Sequence, residues 1–563
     1  MTDGIFPPGL VLILGAFALP LVSGHIRSAL VLLLPLVTLG LVQGVPDGVS
    51  LSVPFMHFQL ELLEGSNLSR LFATIFALMA FAGGLFALNQ KSVVEMSSAF
   101  AYAGSAIGVA FAGDLITMFI YWELMAVGSS LVIWSALSES SYKASMRYIL
   151  MHLLGGVILM VGVVAHVVDT GSIEFGAMEL GSFGTWMMLI GFLINAGAPP
   201  FSSWLPDAYP EASWSGTVFL SAFTTKTAVF VLLKGFPGAE ILIWVGLYMI
   251  MYGIIYALLE NDMRRILAYS IINQVGFMVV GAGIGTEMAI NGAASHAFTH
   301  IIYKALLLMS AGSVMYMTGG KRKCTDLGGL FQSMPVTAMA GIIGALAISS
   351  FPWTSGFVSK SMTTQAAADM DLGFTWFWMM AASAGVFLHA GIKFPWFVFF
   401  QKDSGLRPKD PPWNMKAAMI LFAFLCIALG VYPAPLYAML PFPTEYEPYT
   451  YAHVMEMLQI LLFSGLAFFL TLPLMKRTLT ITLDTDWFYR QLGVRLASVV
   501  TVLVGALLAA LYRARDKVVG WSIGTAFTHH GPKGALAKSA PAGLMVMWTI
   551  ILLLVYLVIY LFV

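Results

Sequence analysis

Four lysines, Lys226, Lys304, Lys360 and Lys393, sit in stretches that otherwise read as lipid-spanning helix, together with Glu123 and the pair His296 and His300. An ammonium at the bilayer centre costs about 2.5–3.5 kcal/mol on insertion scales, so such residues are rare where they have no task. A row of them points to a path for protons or cations. Glu123 lies about nine residues into its apolar stretch and must there pair with a cation or hold a proton, unless it is a satisfied structural acid. His296, His300 and Lys304 fall at i, i+4 and i+8 and share one helix face. Imidazole titrates near neutrality, so this stripe could pass a proton through bridging waters; a purely structural ladder is the alternative. The histidine pair also has metal-ligand spacing, but no H-E-x-x-H pattern or nearby carboxylate completes a site, and no metal is expected. His389 and Lys393 repeat the i, i+4 spacing, although Lys393 is close enough to a span end to snorkel. Asp114 at a span start, with Arg147 and His152, faces a candidate access region; boundary packing is the competing reading.

These groups need a scaffold, and composition names its class. The chain has 563 residues, 59% apolar and 10% charged, where a soluble protein carries about 25% charged residues. It is expected to be an all-α polytopic membrane protein. A formal net charge of zero excludes nucleic acid as an obvious partner. No G-x-G-x-x-G or P-loop pattern with the right flanks occurs, so no nucleotide is expected. Cys324 and Cys426 have no ligand spacing, which leaves no iron–sulfur, zinc or disulfide framework and no expected cofactor. The first residues lack a basic start and read as a retained first helix.

Apolar runs of about 20 residues mark the spans. They fall near 5–22, 27–44, 70–89, 92–112, 114–136, 143–168, 183–203 and 213–234. The series continues near 239–258, 265–283, 287–317, 335–366, 373–400, 414–433, 455–475 and 542–563, sixteen in all. Residues 50–66 suit a small extramembrane hairpin. With the N-terminus outside, 22 of the 28 Lys and Arg fall on the cytoplasmic side, four are the intramembrane lysines, and Arg70 and Lys234 remain outside. That bias sets the orientation. Residues 497–512 are apolar enough to span, but spanning would carry Arg513, Arg515 and Lys517 outside; a helix along the cytoplasmic side is preferred.

Two spans are interrupted by proline, one at Pro199 and Pro200, the other at Pro352. A proline frees a helix carbonyl, tolerable at membrane depth only where protein or water satisfies it. Paired interruptions point to a transport site between inverted repeats, with packing kinks as the alternative. Lys226 and Lys393 follow the breaks, 31 and 33 residues from Asn195 and Lys360.

Together these residues resemble the antiporter-like subunits shared by respiratory complex I and the Mrp-type multisubunit cation/proton antiporters, most of all the D-type branch of the Mrp subunits. The likeness runs from about residue 70 to 400. It rests on Trp122-Glu123, the run Trp204 to Ala208, Asp262 with Arg264 to Ser270, the His296/His300/Lys304 series, and Ser355 to Lys360. The resemblance implies a 14-helix core of two inverted five-helix repeats, each with a half-channel and a broken helix, plus C-terminal helices. Its outline here is 1–112 for N-terminal helices and hairpin, 92–258 and 259–400 for the repeats, and 401–475 for flanking helices. A cytoplasmic-side lateral segment, 476–541, and a last span, 542–563, complete it. By position, Glu123 matches the family's essential glutamate, Lys226 its central lysine, Lys304 its connecting lysine, His296 and His300 its histidines, and Lys360 its exit residue. One departure matters. The family usually has a lysine about five residues before the proline of the first break, paired with the glutamate; here that position is Asn195, which cannot hold a charge. Either Lys226 takes over as partner of Glu123, or the first half-channel works differently or not at all; the former is the expectation.

The resemblance implies a proton- and cation-translocating subunit of an Mrp-type antiporter in a bacterial inner membrane, working with other hydrophobic subunits on protons and sodium or another monovalent cation. A proton pump of an NADH–quinone, hydrogenase or formate-linked redox complex, and a membrane scaffold of an ion- or carbon-uptake complex, are the rival readings. In none of them is the chain an enzyme by itself.

Overall fold

The computed structural model describes residues 6–473 and 483–562. Residue 5 of the expected first span, 474–475 of the fifteenth, 476–482 of the lateral segment and Val563 lie outside the described residues.

The chain begins with α1 (Pro8–Ala18) and α2 (Gly24–Gln43), then an antiparallel hairpin of β1 (Gly48–Phe55) and β2 (Phe58–Gly65) where the sequence places one. Helices α3 (Asn67–Phe86), α4 (Val93–Phe111), α5 (Leu115–Trp134), α6 (Glu139–Thr170) and α7 (Phe183–Ala196) follow. After short α8 (Trp204–Ala208) and α9 (Gly216–Leu220) come α10 (Thr224–Gly235), α11 (Ile241–Leu259), α12 (Met263–Ile284) and α13 (Glu287–Met317). The second broken element is α14 (Pro335–Ile348) and α15 (Ser355–Asp369); α16 (Gly373–Val386) then runs into π-helical turns at Phe387–Lys393 and Trp396–Phe400. Helices α17 (Trp413–Val431), α18 (Ala434–Tyr437), α19 (Tyr451–Thr471), α20 (Gly493–His530) and α21 (Ala542–Phe562) complete the chain. It is an all-α polytopic membrane protein.

Local chemistry sets the helix ends. Ser66, Ser92, Asp114, Ser138, Asp262 and Thr286 each accept backbone amides of the first turn that follows them. Gly171, Gly197 and Gly285 close α6, α7 and α12 in left-handed conformation, at φ +73°, +79° and +72°. Close glycine contacts then draw helices together: a Cβ on Gly246 of α11 would lie 2.6 Å from the carbonyl oxygen of Gly276 on α12. Helices α12 and α13 are consequently buried along almost their whole length, and polar groups on them face protein instead of lipid.

Among the described residues, 14 helices are long and apolar enough to cross a membrane, fewer than the sixteen spans expected. The expected spans 5–22, 183–203 and 335–366 yield only the shorter helices Pro8–Leu21, Phe183–Ala196 and Pro335–Ile348; the first starts only at Pro8, and the other two are cut by turns. In the other direction, 497–512, set aside as non-spanning, lies within a continuous apolar helix that does meet the criterion.

Residues 1–486 form one compact unit and Trp487–Val563 a second. Within the second, α20 has 38 residues and is therefore about 57 Å long, roughly twice the hydrocarbon thickness of a bilayer.

Candidate functional site

The two proline breaks differ in where they place the residues that the sequence had paired. Asn195 is on the last turn of α7, before its break, whereas Lys360 is on α15, after its break. Pro199, Pro200 and Pro352 all lie in the turns themselves. The freed backbone is satisfied by side chains: Trp204 Nε1 donates to the Ile194 carbonyl (2.9 Å), and Lys360 Nζ reaches the Ile348 carbonyl at 3.4 Å. Arg147 forms a two-pronged ion pair with Asp207 (2.7 and 2.9 Å) just beyond the first break. The Trp-Leu-Pro-Asp-Ala run is thus a clasp on α7, and Arg147 is part of it.

Asn195 leaves the inside of the first break to neutral groups. His152 Nδ1 donates to Asn195 Oδ1 (2.8 Å), and both side chains are buried. Glu123 on α5 approaches α6 at Gly156, where an added Cβ would sit 2.0 Å from Glu123 Oε1. That oxygen is buried and has no hydrogen-bond partner among the described residues, nor does any ion pair there involve Glu123. The expected Glu123–Lys226 pairing does not form. Lys226 Nζ turns instead to the Ser221 carbonyl (2.7 Å), freed by the turn between α9 and α10, and to Thr225 Oγ1 (3.1 Å). Asp114 is also accounted for structurally. Its Oδ1 accepts the Ile116 and Thr117 amides and its Oδ2 the Glu61 amide (2.7 Å), so it caps α5 and holds the hairpin.

A different environment surrounds the second lysine. Lys304 Nζ donates to Ser270 Oγ (2.9 Å) on α12. His296 donates from Nε2 to Gln274 Oε1 (3.1 Å), and its Nδ1 meets Ser359 Oγ at 3.1 Å. A hydroxyl can donate or accept, so His296 keeps both bonds with one proton on the ring or with two. Tyr303 shares Gln274 Oε1 (3.2 Å), and Thr299 shares Ser359 Oγ (2.8 Å). Lys360 Nζ also stands 4.6 Å from the centroid of Phe277, a cation–π contact.

His300 lies at the centre. It is fully buried, and neither ring nitrogen has a hydrogen-bond partner among the described residues. Lys226, Lys304 and Lys360 lie within electrostatic range of its ring, and the His296 ring centroid is 6.3 Å away. Lys304 in turn feels Lys226 and Lys360. Glu123 stands apart from that set. The unpartnered imidazole calls for bridging water, since buried polar groups are almost always hydrogen-bonded.

His389 continues from this cluster, within electrostatic reach of Lys304, Lys360 and Lys393, its Nδ1 held by the Gly385 carbonyl (2.8 Å). Lys393 does not snorkel. Its ammonium is buried on the carbonyls of Ala257 (3.1 Å), Leu258 (2.6 Å) and Glu260 (2.6 Å) at the C-terminus of α11, where the helix dipole favours a cation.

Sequence reasoning missed Gln274, Asn273, Ser270 and Ser359 as members of this network. The signal was present, because α12 carries Asn273-Gln274 in an apolar span where a polar side chain is a candidate by default. It also missed Glu95, fully buried at the start of α4 amid Ser135, Ser213, Ser215 and Gln90.

Comparison with known proteins bears on this geometry. Residues 112–388 match the family described as NADH:quinone oxidoreductase/Mrp antiporter, transmembrane. The chain is 29% identical over 393 residues to a probable K(+)/H(+) antiporter subunit of the A/B type from Rhizobium meliloti (strain 1021), covering 65% of this chain and 39% of that protein. It is 31% identical over 283 residues to the D-type subunit of the Na(+)/H(+) antiporter of Alkalihalophilus pseudofirmus, covering 46% of this chain and 56% of that one. It thus spans well under two thirds of either relative's length. In three dimensions it is similar to a chain of the Mrp complex from Dietzia sp. DQ12-45-1b, with a TM-score of 0.76 at 21% identity over 91% of this chain and 62% of the other. That likeness speaks for the fold.

Proposed function

We propose, for a chain that belongs through residues 112–388 to the NADH:quinone oxidoreductase/Mrp antiporter family, that it is the proton- and cation-translocating subunit of an Mrp-type monovalent cation/proton antiporter. The observation that carries this reading is the buried cluster of Lys226, His300, Lys304 and Lys360 around one unpartnered imidazole. Amines within electrostatic range of one another in a low-dielectric interior repel when all are charged, so a proton arriving at one end favours release at the other. His300 relays between Lys226 and Lys304. His296, holding its bonds in either protonation state, links that step to Ser359 and Lys360. We read 92–258 and 259–400 as the two repeats, with Lys226 and Lys304 at their junction, and His389 as a branch of the path. The membrane is the bacterial inner membrane with the N-terminus outside, α20 lies along its cytoplasmic side, and the partners are other hydrophobic subunits.

The family also includes redox-driven proton pumps, and the same lysine cluster serves that reading. Purification through a tag on this chain in mild detergent, with mass spectrometry of the partners, separates the two. Small hydrophobic subunits, together with cation-stimulated proton movement in everted vesicles, support the antiporter. Co-purifying iron–sulfur or flavin subunits would assign the chain to a redox pump. Recovery with one unrelated partner and no proton movement would overturn both.

A further inference from the structure

With Asn195 in place of a lysine and Glu123 out of reach of Lys226, the cluster needs a different proton supply. A series of hydroxyls leads to it. Tyr102 of α4, buried, accepts the Thr224 amide (2.8 Å) and shares a hydrogen bond with Thr224 Oγ1 (2.5 Å) in which either oxygen can donate. Thr224 meets Tyr148 OH at 3.2 Å, and Tyr148 donates to Ser129 Oγ (3.0 Å). One residue on from Thr224, the Thr225 hydroxyl accepts from Lys226 Nζ. Four phenol and alcohol groups in contact form a hydrogen-bonded chain in which each group can donate and accept.

The same helix carries the start of the series. Glu95, Ser98 and Tyr102 stand at i, i+3 and i+7 on α4, all three buried, so they form one stripe spanning about 10 Å. Glu95 is held by Ser213 (2.8 Å), Ser215 (2.5 Å), Ser135 (3.2 Å) and Gln90 (3.1 Å), and Gln90 is partly exposed at the membrane end of the bundle. Arg264 donates to the Ser213 carbonyl (2.9 Å) beside it and is in electrostatic contact with Glu95. An acid so completely wrapped in donors stands on the same helix stripe as Tyr102, about 10 Å before the hydroxyl chain.

We propose that Glu95 and the Tyr102–Thr224 hydroxyl chain are the proton inlet to Lys226 in this protein. The inference rests on the translocation reading above. A proton taken up by the Glu95 carboxylate passes by way of Ser98 and bridging waters to Tyr102 and Thr224, each group accepting one proton and releasing its own, and reaches the neutral amine of Lys226 through a further water; no electrons move.

The test uses the intact complex in everted vesicles. Thr224→Val keeps the shape of the side chain and removes the hydroxyl, Thr224→Ser restores it, and Tyr102→Phe interrupts the chain one step earlier. Expected are normal assembly, proton flux lowered at least about tenfold in Thr224→Val and Tyr102→Phe, equivalent to about 1.4 kcal/mol on the barrier, and near-parental flux in Thr224→Ser. Rescue by serine separates proton conduction from packing. Should Thr224→Val not assemble, Tyr102→Phe and Glu95→Gln carry the comparison. Lys304→Ala is measured beside them. Parental flux in assembled Thr224→Val and Tyr102→Phe, with Lys304→Ala inactive, overturns the inlet alone. Parental flux in Lys304→Ala overturns the translocation reading as well.

Discussion

The two broken helices hold their buried polar groups in opposite ways. At the first, an amide and an imidazole satisfy each other, Asn195 with His152, and the nearby carboxylate of Glu123 has no cation among the described residues. At the second, Lys360 and Lys304 bracket two histidines, one with both its bonds filled and one with none. A buried group without a partner costs stability. His300 is left to bridging water, while the first break holds a neutral pair. Under the proposed translocation, the contrast assigns charge transfer to the second region and Lys226, and makes the first break a structural joint.

The largest effect should come from His300. In His300→Leu we expect proton flux to fall at least about a hundredfold, roughly 2.7 kcal/mol on the barrier. The variant should assemble and melt close to the parent, because leucine fills a similar space and breaks no protein hydrogen bond among the described residues. Vesicle flux and detergent melting temperature, measured together, check this. A destabilised but active variant would place His300 among packing residues and erase the contrast.

Next in size is Asn195→Lys, which restores a cation across Gly155 and Gly156 from Glu123. The new ammonium breaks the His152 contact but finds a carboxylate. The variant should therefore tolerate lysine only while Glu123 is present. In a double-mutant cycle with Glu123→Gln, read by melting of the purified complex, we expect a coupling of about 1–3 kcal/mol. No coupling would mean that the two sites do not see each other.

The smallest effect lies outside both regions. The Arg407 guanidinium beside Asp403, with the Gly405 amide, holds the Asp403 carboxyl well below the usual carboxylate range. A lowered folded value adds stability above the unfolded pKa of about 3.9 and loses it as pH falls through the folded one, so it is fully present at neutral pH. Both groups are exposed, and such pairs contribute little. Arg407→Ala should leave flux and melting at pH 7 unchanged within error, which makes it the control for the other variants.

The fold class, the hairpin and the intramembrane charged residues were legible in the sequence, because apolar run length and isolated ionisable residues are one-dimensional signals. Partners were not. The Glu123–Lys226 pairing looked plausible by substitution logic, yet the turn before α10 frees the Ser221 carbonyl, and Lys226 takes it. Lys393 read as a path residue or a snorkelling one; only the tertiary approach of α11's C-terminus shows its ammonium held on backbone carbonyls. Asn195 and Lys360 looked equivalent at similar offsets, and a count of residues cannot tell that they fall on opposite sides of their breaks. Glu95 passed unnoticed because an acid near a helix start resembles an ordinary first-turn residue.

The most direct test of the central claim is proton flux of Lys304→Ala and Glu123→Gln in one everted-vesicle preparation, at matched amounts of assembled complex. The account predicts that Lys304→Ala is inactive while Glu123→Gln retains a substantial part of the parental rate. Equal loss in both would put Glu123 back on the path and contradict the division between the two breaks.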